Sequence, residues 1–395
     1  MNKYKACMPS EILLPEGIDL TKWACIACDQ HTKEEEYFET LEKVVGNAPS
    51  AYRIVFPEIF LGSDDEKRIK TINDTMRKYL ADGLFEKYDG YILTVRTTSS
   101  GETRIGIVLS VNLDDYSFEK KSNALIRATE GTVKERIPAR VRIRENAPLE
   151  LPHVMLLAND EEMSVIEPLY EKRAELKKVY DFDLNMGGGK IEGYFIPKSA
   201  DVASMFEKTE KDGLLFAVGD GNHSLASAKT VWENKKECAE ENDPARYALV
   251  EVVNLYSPAI NFKPIHRLLI GADSNKIIRE LKNNLSGRGK LTVYANGEEA
   301  VLDCPENTVE CYRAVQDVID KYLAKERGEV DYIHGDEVLK KLSATENSVG
   351  ILMPSLKKQE LFPAVKKFGS LPRKTFSMGE ADDKRFYLEA RKIAK

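Results

Sequence analysis

The sequence predicts a mixed α/β protein in which a mixed β-sheet is flanked by helices. Three observations lead to this fold class. Strand-like and helix-like segments alternate along most of the chain, 91–97 and 104–111 have the pattern of a hairpin, and a short apolar run at 214–218 leads into a glycine-rich turn. Alternating strands and helices are typical of helices packed on a sheet, and the hairpin adds antiparallel pairing.

Each element follows from its own periodicity or turn residues. Segment 34–45 repeats apolar residues at helical spacing, as does 65–80, which ends before Asp82 and Gly83. The further predicted elements alternate in type, and in chain order they are a strand at 151–158, a helix reaching about 180, a strand at 191–196, a helix near 201–210, the strand at 214–218, a helix to about 236, a strand at 246–255, and in the last third helices at about 275–285 and 312–325 with strands at 291–294 and 349–353.

Length and composition limit the class of protein. The 395 residues suit two domains, which we place at 1–255, carrying the glycine-rich turn, and at 256–395, packed against it. The net charge of −7 disfavours nucleic-acid binding, because such binders usually carry a basic excess. No apolar run approaches the roughly 20 residues that span a bilayer. The six cysteines are scattered, as reduced thiols usually are. We therefore expect a cytoplasmic protein with a small-molecule ligand, and a homo-oligomer is compatible with the sequence.

The turn at 219–224, Gly-Asp-Gly-Asn-His-Ser, is the main candidate site. A buried strand enters it and a helix leaves it from about Asn222, so bare amide N–H groups and the positive end of the helix dipole are available to an anion. Gly219 and Gly221 allow a ligand to approach the backbone closely. Either Asp220 or Asn222 can cap the helix.

Helical geometry predicts where the histidine of this turn points. Leu225, Ala228 and Trp232 share one stripe, which should pack on the sheet, so His223 projects to the opposite side near Ser227. It then faces either solvent or a cleft at the carboxyl end of the strand, where open α/β sheets usually bind ligands. The alternative is a well-capped glycine turn with a surface histidine, since the pattern is neither a Walker A loop nor a dinucleotide fingerprint.

A cysteine-containing segment near the N-terminus offers a second candidate. Cys25, Cys28 and His31 have metal-like spacing. A structural zinc site needs four ligands, usually as two such pairs, and no second pair exists, so no zinc is expected. Asp29 and Gln30 are better interpreted as part of a polar loop that leads into the first helix.

Three other groups of residues combine charge with hydroxyl or imidazole groups. Arg127 and Glu130 stand in a stretch with two threonines, where a carboxylate could act as a general base or hold Mg²⁺. His266 and Arg267 could form an anion-binding pair, and Lys374 lies in a basic, hydroxylated segment. The alternatives are a capped turn for the first group and a solvated tail for the last.

Together these motifs resemble a bacterial and archaeal family, the domain-of-unknown-function 1015 family. The usual core motif of that family reads Asp-Gly-His-His-Arg, and this chain departs from it at Asn222 and at Ser224, which replaces an arginine able to grip phosphate. The motif is also similar to the nucleotide-binding element of the ParB and sulfiredoxin superfamily, which includes kinases of free serine. The segments that carry the family resemblance are 23–30, 127–132, 219–224, 264–267 and 371–379.

The resemblance implies a ParB/sulfiredoxin-like core with additional C-terminal elements. It also implies a nucleotide-dependent phosphotransferase or NTPase that uses ATP or CTP with Mg²⁺ on a small metabolite. The alternative left open is a non-catalytic nucleotide or metabolite sensor that acts through a protein partner. The residues implied as phosphate-binding are Gly221, Asn222, Ser224, Arg127, His266 and Arg267; those implied as catalytic are Asp220, His223 and Glu130, with Asp220 and Glu130 also holding Mg²⁺; further candidates are Asp29, Gln30 and Lys374.

Overall fold

A computed structural model of the protein describes residues 5–27, 31, 34–62, 64–131, 137–372, 374–379 and 383–394. The chain divides into two units, Met1–Ile260 together with Glu380–Lys395, and Asn261–Gly379. The predicted division into 1–255 and 256–395 differs from this arrangement mainly at the C-terminus. The last segment returns to the first unit because Phe386–Tyr387 pairs with Cys25–Ile26 there.

The strands of the described residues are short to medium in length. In chain order they are β1 (Cys7–Met8), β2 (Ser10–Pro15), β3 (Cys25–Ile26), β4 (Phe85–Thr97), β5 (Thr103–Asn112), β6 (Tyr116–Ser117), β7 (Ile126–Ala128), β8 (Leu149–Glu150), β9 (Met155–Ala158), β10 (Lys177–Asp183), β11 (Lys190–Pro197), β12 (Phe216–Asp220), β13 (Tyr247–Asn254), β14 (Phe262–Pro264), β15 (His266–Ile270), β16 (Gly289–Ala295), β17 (Glu298–Cys304), β18 (Glu329–Ile333), β19 (Ser348–Leu352), β20 (Phe376–Met378), β21 (Phe386–Tyr387) and β22 (Arg391–Lys392).

The helices are distributed over both units. In chain order they are α1 (Leu20–Trp23), α2 (Glu35–Val45), α3 (Asp65–Ala81), α4 (Ile137–Arg144), α5 (Ile166–Glu171), α6 (Val202–Glu207), α7 (Asn222–Lys235), α8 (Ser274–Asn284), α9 (Thr308–Leu323), α10 (Asp336–Ser343) and α11 (Lys358–Phe368). In the described part of the chain, no helix is both long enough and apolar enough to cross a membrane.

The first unit is built on a mixed sheet in the order β10-β11-β4-β5-β13-β9-β12-β7-β6, with β1 also on β5 and β2 also on β4. The hairpin strands β4 and β5 are antiparallel, whereas β13 with β9 and β12 with β7 are parallel. Both kinds of pairing therefore occur in one sheet that helices flank, which confirms the predicted fold class.

The two faces of this sheet carry separate cores. Adjacent residues of a strand point to opposite faces, and Ile107 and Val108 of β5 belong to different apolar clusters. The cluster around Ile107 includes the stripe of α7 that ends at Trp232. The cluster around Val108 includes Trp23 and the C-terminal Phe386. The predicted stripe of α7 does pack on the sheet.

The second unit has its own antiparallel sheet, in the order β17-β16-β19-β15-β18. Its main apolar core takes Ile277 and Leu281 from α8, Val315 from α9 and strand residues such as Val293 and Ile351. The helices and strands predicted for the last third of the chain at α8, α9, β16 and β19 are confirmed.

One predicted helix is wrong at its C-terminal end. The helix expected to reach about residue 180 ends as α5 at Glu171, and β10 follows as an edge strand paired with β11. The ring of Tyr180 lies over Gly193, where an added Cβ would come within 2.2 Å of a ring carbon. Tertiary pairing against this glycine thus overrides the local helical pattern.

Candidate functional site

The turn between β12 and α7 has a backbone that only glycine fits well. Gly221 stands at the N-cap position of α7 with φ +79°. A Cβ on this residue would lie 2.9 Å from the Cα of Val154 on the neighbouring segment. Both the left-handed backbone and the close approach of Val154 therefore require glycine. The predicted helix start at Asn222 is confirmed.

The polar side chains of the turn do not cap the helix. Gly221, the N-cap residue, provides no side-chain hydrogen bond to the first turn of α7. Asp220 Oδ1 accepts the N–H of Gly221 at 2.8 Å, and Asn222 Oδ1 accepts the N–H of Thr129 at 3.2 Å. The prediction that Asp220 or Asn222 caps the helix is therefore wrong. The positive end of the α7 dipole therefore lies beside the Asp220 carboxylate and favours negative groups.

Parallel pairing brings the segment around Glu130 to the same edge of the sheet. In the register of β7 and β12, Ala128 is opposite Val218. Thr129 follows directly and donates its hydroxyl to the carbonyl of Val218 at 2.6 Å. Glu130 comes next and is partly exposed. Glu130 thus follows the carboxyl end of β7, and Asp220 is the last residue of the neighbouring parallel strand β12. Ligand sites commonly form at such strand ends.

Arg127 is not brought to the turn. Its guanidinium donates to the carbonyls of Ala124 and Gly213, both at 2.8 Å. Gly213 precedes the start of β12, which is the end of that strand opposite to the turn. Burial lowers the pKa of Arg127 from its ordinary value. These two hydrogen bonds therefore stabilise the segment before the N-terminal end of β12.

A cation that the sequence analysis missed stands at the turn. Lys384 Nζ lies 2.9 Å from Asp220 Oδ2, and the side chain of Lys384 is only 15% exposed. The two residues are 164 positions apart, so no spacing in the sequence connects them. Both oxygens of Asp220 are engaged, one by the N–H of Gly221 and one by Lys384.

The contacts of Asp220 with Gly221 and Lys384 affect whether its carboxylate can also bind Mg²⁺, as predicted. A metal ion at Asp220 would compete with the ammonium of Lys384 for the same oxygen. Among the residues that the structure describes, no group of three or more His, Cys, Asp and Glu is placed to hold a metal ion. Metal binding by Asp220 and Glu130 stays a prediction.

Two buried arginines of the sheet contact the C-terminal segment that carries Lys384. Arg96 and Arg104 are opposite each other in the hairpin and are 3% and 8% exposed. The carbonyl of Asp383 accepts from both, at 3.2 Å and 2.9 Å. Burial, reinforced by the neighbouring Arg104, lowers the pKa of Arg96 to about 9. Burial also lowers the pKa of Arg104, although the carboxylates around it, including Asp220, act in the opposite direction.

The C-terminal segment is fixed by buried ion pairs. Arg385 Nε lies 2.7 Å from Glu251 Oε2, and Arg385 Nη2 lies 2.6 Å from Glu389 Oε2. Burial alone would raise the pKa of Glu251, but Arg385 and Arg104 outweigh burial and hold it below its ordinary value. Gly106 leaves room for this carboxylate, because a Cβ there would come within 2.3 Å of it. These contacts position the adjacent Lys384.

His223 and Ser224 lie on the partly exposed side of α7, as predicted for the histidine. Both are half-buried, whereas Leu225 is buried in the core. The carbonyl of His223 accepts the hydroxyl of Ser227 at 2.8 Å. Beside this first turn of α7 lies a cavity of about 170 Å³, which Ser224 and Ser227 help to line.

The structure places His266 in the second unit as a buried, hydrogen-bonded residue. Its Nδ1 accepts the N–H of Met353 at 3.1 Å, and its Nε2 lies 3.0 Å from Asp336 Oδ1. Burial lowers the pKa of His266, and Asp336 opposes this shift. The ring is thus held in its neutral form between a backbone donor and a carboxylate.

Arg267, beside it on β15, is fully buried. It donates to the carbonyls of Ile265 and Lys374, both at 2.7 Å, and its guanidinium lies over the rings of Tyr312 and Tyr332. Phosphate contacts by His266, Arg267 and Lys374 stay predictions. The remaining candidates, Asp29 and Gln30, lie outside the described residues.

The fold and this turn define a mixed α/β protein whose first unit presents an uncapped strand-to-helix element. The sequence model of one family, described as protein of unknown function (DUF1015), matches residues 13–390. The chain belongs to this family, which confirms the resemblance drawn from its motifs. The comparison with curated proteins gave no match.

Several solved structures are similar to part of the chain. A conserved hypothetical protein from Pyrococcus furiosus has a TM-score of 0.37 at 12% identity, covering 73% of this chain and 95% of its own. A free serine kinase variant in complex with AMP has a TM-score of 0.42 at 12% identity, with 72% and 92% covered. SbnI from Staphylococcus aureus, truncated at its C-terminus, has a TM-score of 0.39 at 11% identity, with 69% and 82% covered.

Proposed function

We propose that the protein binds the phosphate groups of a nucleotide at the start of α7. The observation that carries this proposal is the uncapped helix start at Gly221, with the ammonium of Lys384 held 2.9 Å from the adjacent Asp220. A helix N-terminus carries about half a positive charge, and bare amide N–H groups suit phosphate oxygens.

The buried charges near the turn add to this preference for an anion. Arg104 is nearly buried, and in the described part of the chain its Nε atom has no hydrogen-bond partner. A buried guanidinium charge is costly, and an anion near the turn would reduce that cost through its charge. Lys384 and Arg104 oppose the charge of Asp220, so they offset part of the negative charge that a phosphate would bring.

The proposed activity is phosphoryl transfer to a small metabolite in the cytoplasm. Such transfer depends on positioning and on neutralising charge rather than on covalent catalysis. In this proposal the amides at Asn222 and Ser224 hold phosphate oxygens, and the Gly221 amide joins them only if it leaves Asp220. Glu130 acts as a base or holds Mg²⁺ with Asp220. His223 contacts the terminal phosphate or the nucleophile.

Ligand-induced thermal stabilisation tests the binding step. ATP and CTP are added with and without Mg²⁺, and at a hundred times its dissociation constant a ligand should stabilise the protein by roughly 2.7 kcal/mol. Lys384→Ala should weaken nucleotide binding at least tenfold. The matched control is Lys229→Ala, because Lys229 is also 15% exposed and paired with a carboxylate, Glu233, but lies away from the turn. Equal losses in both variants, or stabilisation by neither nucleotide, would contradict the proposal.

Turnover separates an enzyme from a sensor. The protein is incubated with the nucleoside triphosphate that it binds, Mg²⁺ and a mixture of amino acids. Release of the corresponding nucleoside diphosphate is measured. An enzyme should lose turnover in Glu130→Gln while it retains nucleotide affinity. Binding without turnover in the unsubstituted protein would instead identify a nucleotide sensor.

A further inference from the structure

The cavity beside the first turn of α7 is mostly apolar. It has a volume of about 170 Å³, and its walls come from α7, from α4 and the residues after it, from the segment before β9, and from residues 54–61. Leu225 and Ala228 of α7 line one side, and Ala147 and Leu149 line another. A cavity of about 150 Å³ can hold a benzene molecule, so this one suits a single small ring system.

The charged residues on the cavity wall are already neutralised. Arg140 Nη2 lies 3.0 Å from Glu58 Oε2, and Arg144 Nη2 lies 2.6 Å from Glu150 Oε2. Arg391 gives Glu150 a second cationic partner at 2.6 Å. The described residues that line the cavity thus include two arginines and two glutamates, each held in an ion pair. No lining arginine is left to bind a phosphate or a carboxylate, which favours an uncharged group.

Polar atoms on the same wall could recognise the edge of a heteroaromatic ring. Ser224 and Ser227 contribute hydroxyl groups, and His153 and Tyr387 lie together on the wall with Nδ1 and Oη 2.8 Å apart. Apolar walls with a few polar groups are the usual composition of small-molecule sites. Ser224 also belongs to the first turn of α7, so the cavity adjoins the proposed phosphate site.

We propose that this cavity holds an uncharged nucleobase whose phosphates lie at the start of α7. The proposal rests on the proposed function for the phosphate end of the ligand, whereas the ring end depends on the cavity alone. The base packs between apolar side chains of α7 and the residues after α4. The hydroxyl groups of Ser224 and Ser227 meet its polar edge.

Separate probes for the two ends of the ligand test the proposal. Adenosine and cytidine report on the ring site, inorganic triphosphate reports on the phosphate site, and calorimetry measures each affinity. Ala228→Leu fills the cavity and should weaken binding of the nucleoside and its triphosphate at least tenfold, with inorganic triphosphate unchanged. Lys384→Ala should weaken inorganic triphosphate and leave the nucleoside unchanged. Ala239→Leu is the control, because Ala239 is partly buried against the same core but does not line the cavity.

A second variant keeps the test informative if Ala228→Leu fails to fold. Ala147→Leu fills the cavity from the opposite wall and should repeat the result of Ala228→Leu if the latter loses its thermal transition. Unchanged nucleoside affinity in either folded variant, or no nucleoside binding at all, would overturn the ring site. Nucleoside binding that responds to Ala228→Leu without any binding of inorganic triphosphate would support the ring site and overturn the proposed phosphate site.

Discussion

Replacing Gly221 by alanine tests the reasoning about the turn most directly. Two costs act at this position. A left-handed backbone costs an L-residue roughly 1–2 kcal/mol, and the new Cβ would lie 2.9 Å from the Cα of Val154, an overpacking that costs about 1–3 kcal/mol. Alanine also lowers the conformational entropy of the unfolded chain, which stabilises the folded state by about 0.4–1 kcal/mol. Gly221→Ala should therefore destabilise the first unit by about 1–4.5 kcal/mol.

Gly213 provides a matched control on the other side of β12. Its φ of +76° is nearly the same, but a Cβ there would have no neighbour nearer than an Arg127 nitrogen at 3.9 Å. Gly213→Ala thus carries the backbone cost without the contact, so the two variants should differ by about 1–3 kcal/mol. Urea unfolding is followed by tryptophan fluorescence, because Trp23 and Trp232 are both buried in the first unit. Equal destabilisation in the two variants would refute the close packing of Val154 on the turn.

Three further predictions concern buried polar groups. Glu251→Gln leaves Arg385 without one of its two carboxylates and should cost about 3–5 kcal/mol in the same urea assay; a loss below 1 kcal/mol would argue against the buried pair. Asn222→Ala removes the acceptor of the buried Thr129 N–H and should lower the free energy of unfolding by about 1–3 kcal/mol. Asn222→Asp keeps an acceptor oxygen there and should retain most of that stability. Burial lowers the folded-state pKa of His266, so the stability of the second unit should be complete above about pH 6.5 and fall as the pH drops below it. Calorimetry that shows constant stability across this range would contradict the burial of the neutral ring.

The sequence predicted the elements that depend on local pattern. An apolar strand followed by two glycines identified the start of α7, and the stripe that ends at Trp232 identified its packed face. Lys384 could not be found this way, because the contact depends on a C-terminal segment that returns across the first unit. The one available signal was Arg96 and Arg104 within otherwise apolar strands, which indicates either an exposed face or a buried polar cluster. Periodicity alone does not distinguish these two environments.

The C-terminal segment couples the stability of the first unit to its candidate site. The strand β21 pairs over only two residues, which by itself fixes the segment weakly. The bonds of Arg385 to Glu251 and Glu389 are buried, and breaking any of them would leave a charge without compensation. Lys384 stands next to Arg385 in sequence, so the same buried bonds hold its backbone beside Asp220. In the proposed function, a phosphate at the turn would compete with Asp220 for the Lys384 ammonium while these bonds keep the segment in place.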